Sequence, residues 1–225
     1  MATQYSYGKI ITRGLVVSLD AADRNSYPGT GTSWTDLSGN DNSATLSNSP
    51  TYTSTFSGGI TFNGTTQSAP SAASNVSIPG TVSLCAWVRH TTVPSAIQRY
   101  LSLSSETAVI RHDGGGGNAG RFHFYITTSG TIKSLYVTGQ IATNTNYYFC
   151  GTWDGTTMRA YKNAVSIGTP TTPGGTMATS NVSYGVTSSG ECLNGSIFGV
   201  QIYNRALSAL EILQNYETQK LRFNL

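Results

Sequence analysis

Short runs of alternating apolar and polar residues, each closed by a cluster of turn formers, govern what this chain can fold into. Such runs occupy residues 14–19 (GLVVSL), 59–62 (GITF), 82–89 (VSLCAWVR), 121–126 (RFHFYI), 131–137 (TIKSLYV), 147–153 (YYFCGTW), 158–162 (MRAYK) and 196–203 (SIFGVQIY). A period of two puts successive side chains on opposite faces of a strand. GTGTS, SGNDNS, DGGGG and TPGGT lie between the runs and supply turns. No helical period appears before Ala206, so we expect an all-β chain built as a two-sheet antiparallel sandwich or jelly roll. There is no internal repeat or linker, and 225 residues suit one such domain. We place an N-terminal arm over residues 1–13 and the jelly-roll domain over 14–225.

One short helix closes the pattern. Ser208 and Glu211 form S-x-x-E, in which serine oxygen and glutamate carboxylate each take an orphan backbone amide. Leu210, Ile212 and Leu213 would then give the helix an apolar face to lay on the sandwich as a lid.

Only 10% of residues are charged, and the net charge of +3 includes no basic run, so a nucleic-acid partner is not expected. No apolar stretch approaches the ~20 residues of a membrane helix, and the first twenty residues lack a signal-peptide core. We therefore expect no membrane association and a cytoplasmic assembly site. Cys85, Cys150 and Cys192 sit singly in apolar segments without C-x-x-C spacing, which predicts buried free thiols in preference to a disulfide or metal role.

Three segments, VSLCAWVRH, NYYFCGTWDGTTMRAYKNAVSIG and NGSIFGVQIYNRALSALEI, carry a resemblance to LamG-like members of the concanavalin A-like lectin/glucanase superfamily. It extends over residues 14–216 and implies a jelly roll whose terminal strand-to-helix element closes the rim. Glycosidases of that superfamily work with paired carboxylates, in laminarinase-type members as E-x-D-x-x-E. None of Glu106, Glu191, Glu211 and Glu217 begins such a pattern, so no enzyme is expected. His90, His112 and His123 are scattered, with no H-E-x-x-H or G-x-S-x-G beside them.

The resemblance also implies a calcium ion near a rim. The best oxygen ligands are Asp20, Asp36, Asn40 and Asp41, whose other reading is the capping of their own turns. Trp34, in the polar loop of residues 30–50, either stacks on a sugar ring or plugs the core edge. With Asp36, Asn40 and Asn42 it makes up the candidate glycan-binding set.

A narrower resemblance lies in the opening GLVVSLDAADRNSYPGTGTSWTDLSGNDNSATL and the closing QNYETQKLRFNL. Both are similar to LamG-like modules of tailed-bacteriophage virions, found in head decoration proteins and in tail fibres or adhesins. The function that this implies is a non-enzymatic virion structural protein, assembled in the host cytoplasm as a homo-oligomer against other capsid or tail proteins. The alternative is a carbohydrate-binding module for host or environmental glycans, with Ca²⁺ as its candidate cofactor.

Overall fold

The computed structural model describes residues 8–71, 75–93, 95–118, 120–187 and 190–225. Its strands, numbered in chain order, form two main antiparallel sheets. The larger has β15 (Val165–Thr171), β14 (Met158–Lys162), β13 (Asn146–Trp153), β8 (Val82–His90), β18 (Asn194–Tyr203), β5 (Gly59–Asn63) and β4 (Thr51–Thr53) side by side. The first strand, β1 (Leu15–Asp20), pairs with the later half of β18, beyond the part that β5 takes. The smaller has β12 (Thr131–Val137), β11 (Phe122–Thr128), β10 (Ala108–Asp113), β9 (Ile97–Leu103), β17 (Tyr184–Val186) and β6 (Ala69–Pro70). Two small ribbons pair β2 (Ser33–Trp34) with β3 (Ala44–Thr45) and β7 (Val76–Ile78) with β16 (Ser180–Val182).

Alternation builds the core. Leu84, Ala86 and Val88 of β8 face Ile110 of β10 and Phe122, Phe124 and Ile126 of β11 in one buried cluster. The other residues of β8 meet a second cluster on the outer face of the larger sheet, where Cys85 and Trp87 pack with Tyr148, Phe198, Ile212 and Phe223. Covered on both faces, this strand reads VSLCAWV, apolar except for Ser83, whose buried hydroxyl donates to the Arg205 carbonyl, as a fully buried strand should.

The cover is the helix α1 (Ala209–Lys220), which begins with the expected reciprocal Ser208–Glu211 cap. Arg205 forks onto the same carboxylate at 2.6 and 2.9 Å, and this pairing holds the Glu211 pKa down to about 2. At 12 residues the helix depends on tertiary contacts. Ile212 is fully buried, and Tyr216 stacks on Trp87 at 5.6 Å between ring centres. Leu210 departs from expectation: it is 78% exposed, because the face that meets the sheet runs through Ile212, Asn215 and Tyr216. The helix lies over the outer face of the larger sheet, so it is not a lid on the rim.

Two further expectations are corrected. Cys85 and Cys150 are joined in a disulfide, while Cys192 is a buried free thiol. The two half-cystines lie 65 positions apart in sequence but directly opposite each other on β8 and β13, with Cα atoms 4.1 Å apart. Only the strand register brings them together. The N-terminal segment is likewise no free arm in its described part, and residues 1–7 lie outside the described residues. Ile11 receives a hydrogen bond from the Tyr203 hydroxyl and donates its amide to Asn215, while Gln214 donates to the Lys9 carbonyl. These three bonds, the exposed one to Lys9 worth least, and the packing of Ile11 together amount to about 3 kcal/mol. Deleting residues 1–12 should therefore lower Tm by roughly 6–12 °C. An unchanged calorimetric melt would place this segment outside the folded unit.

Candidate functional site

The polar chemistry of the molecule gathers on the outer face of the six-stranded sheet. Cross-strand pairing lines up Tyr136, His123, Arg111 and Arg99 in one row, and Ser134, Tyr125, Val109 and Ser102 in the next. Arg99 reaches Glu191 at 2.6 Å and Glu106 at 2.8 Å, and Arg111 reaches the other Glu191 oxygen at 3.3 Å. Arg121 holds Asp113 at 3.0 Å and lies over the Tyr136 ring at 4.3 Å, whose plane also stacks on His123 at 4.0 Å. Three guanidiniums and three carboxylates thus balance each other, leaving a rigid face of planar groups with no net charge.

His123 is held neutral in this network. Burial and the Arg111 and Arg121 cations lower its pKa to about 3, against the pull of Asp113 at 3.6 Å. Its Nδ1 accepts from Arg111 Nε at 3.1 Å, a bond that needs the unprotonated ring. Burial pushes the Asp113 carboxyl up, but the Gly115 amide and the neighbouring cations outweigh it and hold the pKa below the ordinary value.

At the end of this face opens a cleft of about 560 Å³. Ser104, Ser105, Thr107, Thr127, Ser129 and Asn181 line it, and among the described residues no charged or aromatic side chain does. Two tight turns shape it. β11 and β12 are joined by Ser129 and Gly130, both at positive φ, as a type I′ hairpin requires. β9 and β10 are joined through Ser105 and Glu106, also both at positive φ (55° and 56°) but without a glycine. That geometry costs an L-residue about 1–2 kcal/mol. Here it is held by the Glu106–Arg99 ion pair and by the Thr127 hydroxyl, which donates to the Glu106 carbonyl at 2.7 Å. Strained residues persist where surrounding contacts over-determine them, and they concentrate at binding sites.

The hydroxyls are pre-set. Those of Thr107 and Thr127 donate to loop carbonyls and so present lone pairs to the cleft. Ser129 accepts from the Thr176 amide and keeps its proton to give. Alternating acceptors and donors without charge match a neutral polyol better than an ion.

The residues singled out from sequence fare differently. Trp34 is completely buried in the core, so it cannot stack on a sugar and instead plugs the core edge. Asp36 is the staple of its loop: its two oxygens accept from the Ser18, Ser38 and Asn42 amides and the Ser38 hydroxyl. Asn42 is buried too, donating to Val16, while exposed Asn40 donates to Leu15 and Ser38. Asp20 is gripped by Arg222 at 2.7 and 2.9 Å, and Asp41 is exposed at a left-handed turn position. Among the described residues, no three His, Cys, Asp or Glu side chains gather as a metal-binding group. Asp20 and Asp36 thus have their carboxylate oxygens engaged within the fold.

The family model described as the concanavalin A-like lectin/glucanases superfamily matches residues 63–213. Among solved structures, domain 4 of AbnA, a GH43 extracellular arabinanase from Geobacillus stearothermophilus solved with arabinotriose, superposes with a TM-score of 0.67 at 16% identity, covering 90% of this chain and 98% of that one. The binding domain of Paraclostridial Mosquitocidal Protein 1 gives 0.68 at 15% identity, covering 90% of this chain and 52% of that one. The botulinum neurotoxin serotype D ligand-binding domain, solved with N-acetylneuraminic acid, gives 0.72 at 14% identity, with 94% and 52% covered. The chain thus spans about half of the two toxin chains. A comparison with curated proteins returned no match.

Proposed function

The chain belongs to the concanavalin A-like lectin/glucanase superfamily, and from that premise we propose that it is a non-catalytic saccharide-binding domain. The uncharged hydroxyl cleft beside the Arg99–Arg111–Arg121 face is the observation that carries this reading. Sugars with their many hydroxyls pair with such donors and acceptors, and the preset rotors cost little to order. Arabinotriose and N-acetylneuraminic acid in two structural neighbours are in keeping with it. Lack of catalysis is supported by the engagement of every glutamate: Glu106 and Glu191 with arginines of the face, Glu211 with Arg205, and Glu217 with Lys220. No glutamate stands ready as a free acid or nucleophile.

The Cys85–Cys150 disulfide suits an oxidising setting, such as a secreted protein or a cell or virion surface. Display on a virion, as an adhesin or decoration module, is the second part of this proposal, and it rests on the phage-like opening and closing segments. Purified virions lacking the chain by mass spectrometry would remove that part alone.

For the cleft, the test is an oligosaccharide array followed by calorimetric titration. The double variant T127V/S129A should weaken the best ligand about tenfold or more, by loss of two hydrogen bonds; because the Thr127 hydroxyl also braces the Glu106 turn, Tm should fall by a few degrees with the fold retained. Equal affinity in both proteins would put the sugar elsewhere.

A further inference from the structure

The opposite face of the molecule carries a second opening that the hydroxyl cleft does not explain. On the outer face of the eight-stranded sheet, α1 covers Cys85 and Trp87 of β8, but the next outward residue, Arg89, lies beyond the cover. There a pocket of about 280 Å³ is lined by Arg89, Phe56, Thr53, Thr61, Thr91 and Ser196. Among the described residues that line it, Arg89 alone is charged. Among the described residues Arg89 has no carboxylate partner; it makes a long 3.4 Å hydrogen bond to Asn144 and lies over the Phe56 ring at 5.4 Å. Arg99, Arg111, Arg121, Arg205 and Arg222, by contrast, are each neutralised by an acid.

The wall that presents the ring is built with care. Phe56 adopts φ 54° and ψ 40°, a left-handed conformation that a bulky residue rarely takes. Arg222 fixes it by donating to the Phe56 carbonyl at 3.2 Å, and the ring packs edge-on to Phe198 and against Phe223. Across the pocket floor the Thr61 and Ser196 hydroxyls meet at 2.8 Å on paired strands. One guanidinium without a carboxylate partner among the described residues, the rings of Phe56 and Phe198, and several hydroxyls therefore share a hollow large enough for one sugar ring.

We propose that this pocket binds a carboxylate-bearing sugar residue. Arg89 would fork onto the carboxylate, Phe56 would lie against the apolar side of the ring, and the threonine and serine hydroxyls would meet the sugar hydroxyls. From the function proposed above it takes only the class of ligand, since the site, the sheet and the recognising groups all differ.

Sodium glucuronate, glucose and sodium acetate are titrated separately into ¹⁵N-labelled protein, reading backbone amides and arginine side-chain Nε signals. Glucuronate is expected to move the signals of Arg89, Phe56, Thr91 and Ser196 saturably, with glucose and acetate each at least about tenfold weaker, the value of a charge-assisted hydrogen bond. R89Q removes the cation. T91E leaves it in place but sets an acid beside it, and both variants should abolish the response with the fold intact. T127V/S129A should leave the response unchanged, so failure of the cleft and failure of this pocket can be told apart. The proposal is overturned if glucuronate moves none of these signals, if R89Q and T91E respond as the parent does, if glucose binds as tightly, or if acetate alone reproduces the effect.

Discussion

Replacing Trp34 with alanine is expected to cost about 3–5 kcal/mol of stability, the usual toll for removing a large aromatic from a packed core. Against a typical total of about 5–15 kcal/mol, that is enough to leave a substantial unfolded fraction at 37 °C. The indole is fully buried, and its ribbon partner Ala44 is buried beside it. The polar loop around it is pinned at several points: Asp36 onto Ser18, Asn42 onto Val16, and the Tyr184 hydroxyl onto the Asn42 carbonyl at 2.5 Å. A variant that bound glycans poorly while melting at the parent temperature would instead make Trp34 a surface recognition group. Urea titration at neutral pH separates the two outcomes.

Acid should unfold the domain well above the range set by its carboxylates. His90 and His112 are fully buried neighbours, with ring centres 5.3 Å apart. His90 bonds to the Tyr100 hydroxyl at 2.8 Å, and burial lowers its pKa to about 3, with the second imidazole adding to the effect. His112 accepts from the Gly120 amide at 3.1 Å and is lowered in the same direction, chiefly by burial. His123, on the other side of the sheet, also lies at about 3. Each ring is protonated in the unfolded chain below about pH 6.5 but stays neutral in the fold, so unfolding takes up protons. Stability is therefore fully present above pH 6.5 and is lost as the pH falls below it, down to about 3 for His90 and His123, by up to about 1.4 kcal/mol per unit for each of these two rings, with His112 adding in the same direction. Denaturant midpoints measured between pH 7.5 and 4.5 should fall steadily, and H90F should show a shallower slope. A flat profile down to pH 5 would mean that the rings are already charged in the fold.

Where the sequence was legible, the signal was a face that meets one uniform environment. TIKSLYV and MRAYK match β12 and β14 end to end, and the Ser208–Glu211 cap stands as read. Strands β9 (IQRYLSL) and β10 (AVIRHD) were missed because their inward positions include the buried polar residues Gln98 and His112, and a register shift sends the adjacent Tyr100 and Leu101 both into the core. Their outward charges, Arg99, Arg111 and Asp113, are covered once partners arrive from Glu191 and Arg121.

The site was hidden for a related reason. Its hydroxyls are ordinary members of a Ser- and Thr-rich chain, and the SSET turn lacks the glycine that marks a tight hairpin. Two consecutive strand ends with hydroxyl side chains, at 104–107 and 127–129, were the available clue. The disulfide depends on register alone, which no local pattern encodes. Trp34, by contrast, drew attention because its neighbours are polar, when those neighbours serve to tie it down.

The most direct measurement is to map the amide shifts of ¹⁵N-labelled protein as it is titrated with the tightest neutral oligosaccharide found on an array. Binding at the cleft predicts a contiguous set at residues 104–107, 127–130 and 176–181, with residues 30–50 unmoved. Shifts confined to residues 30–50, or no saturable response to any neutral saccharide, would contradict the assignment of this face as a saccharide-binding site.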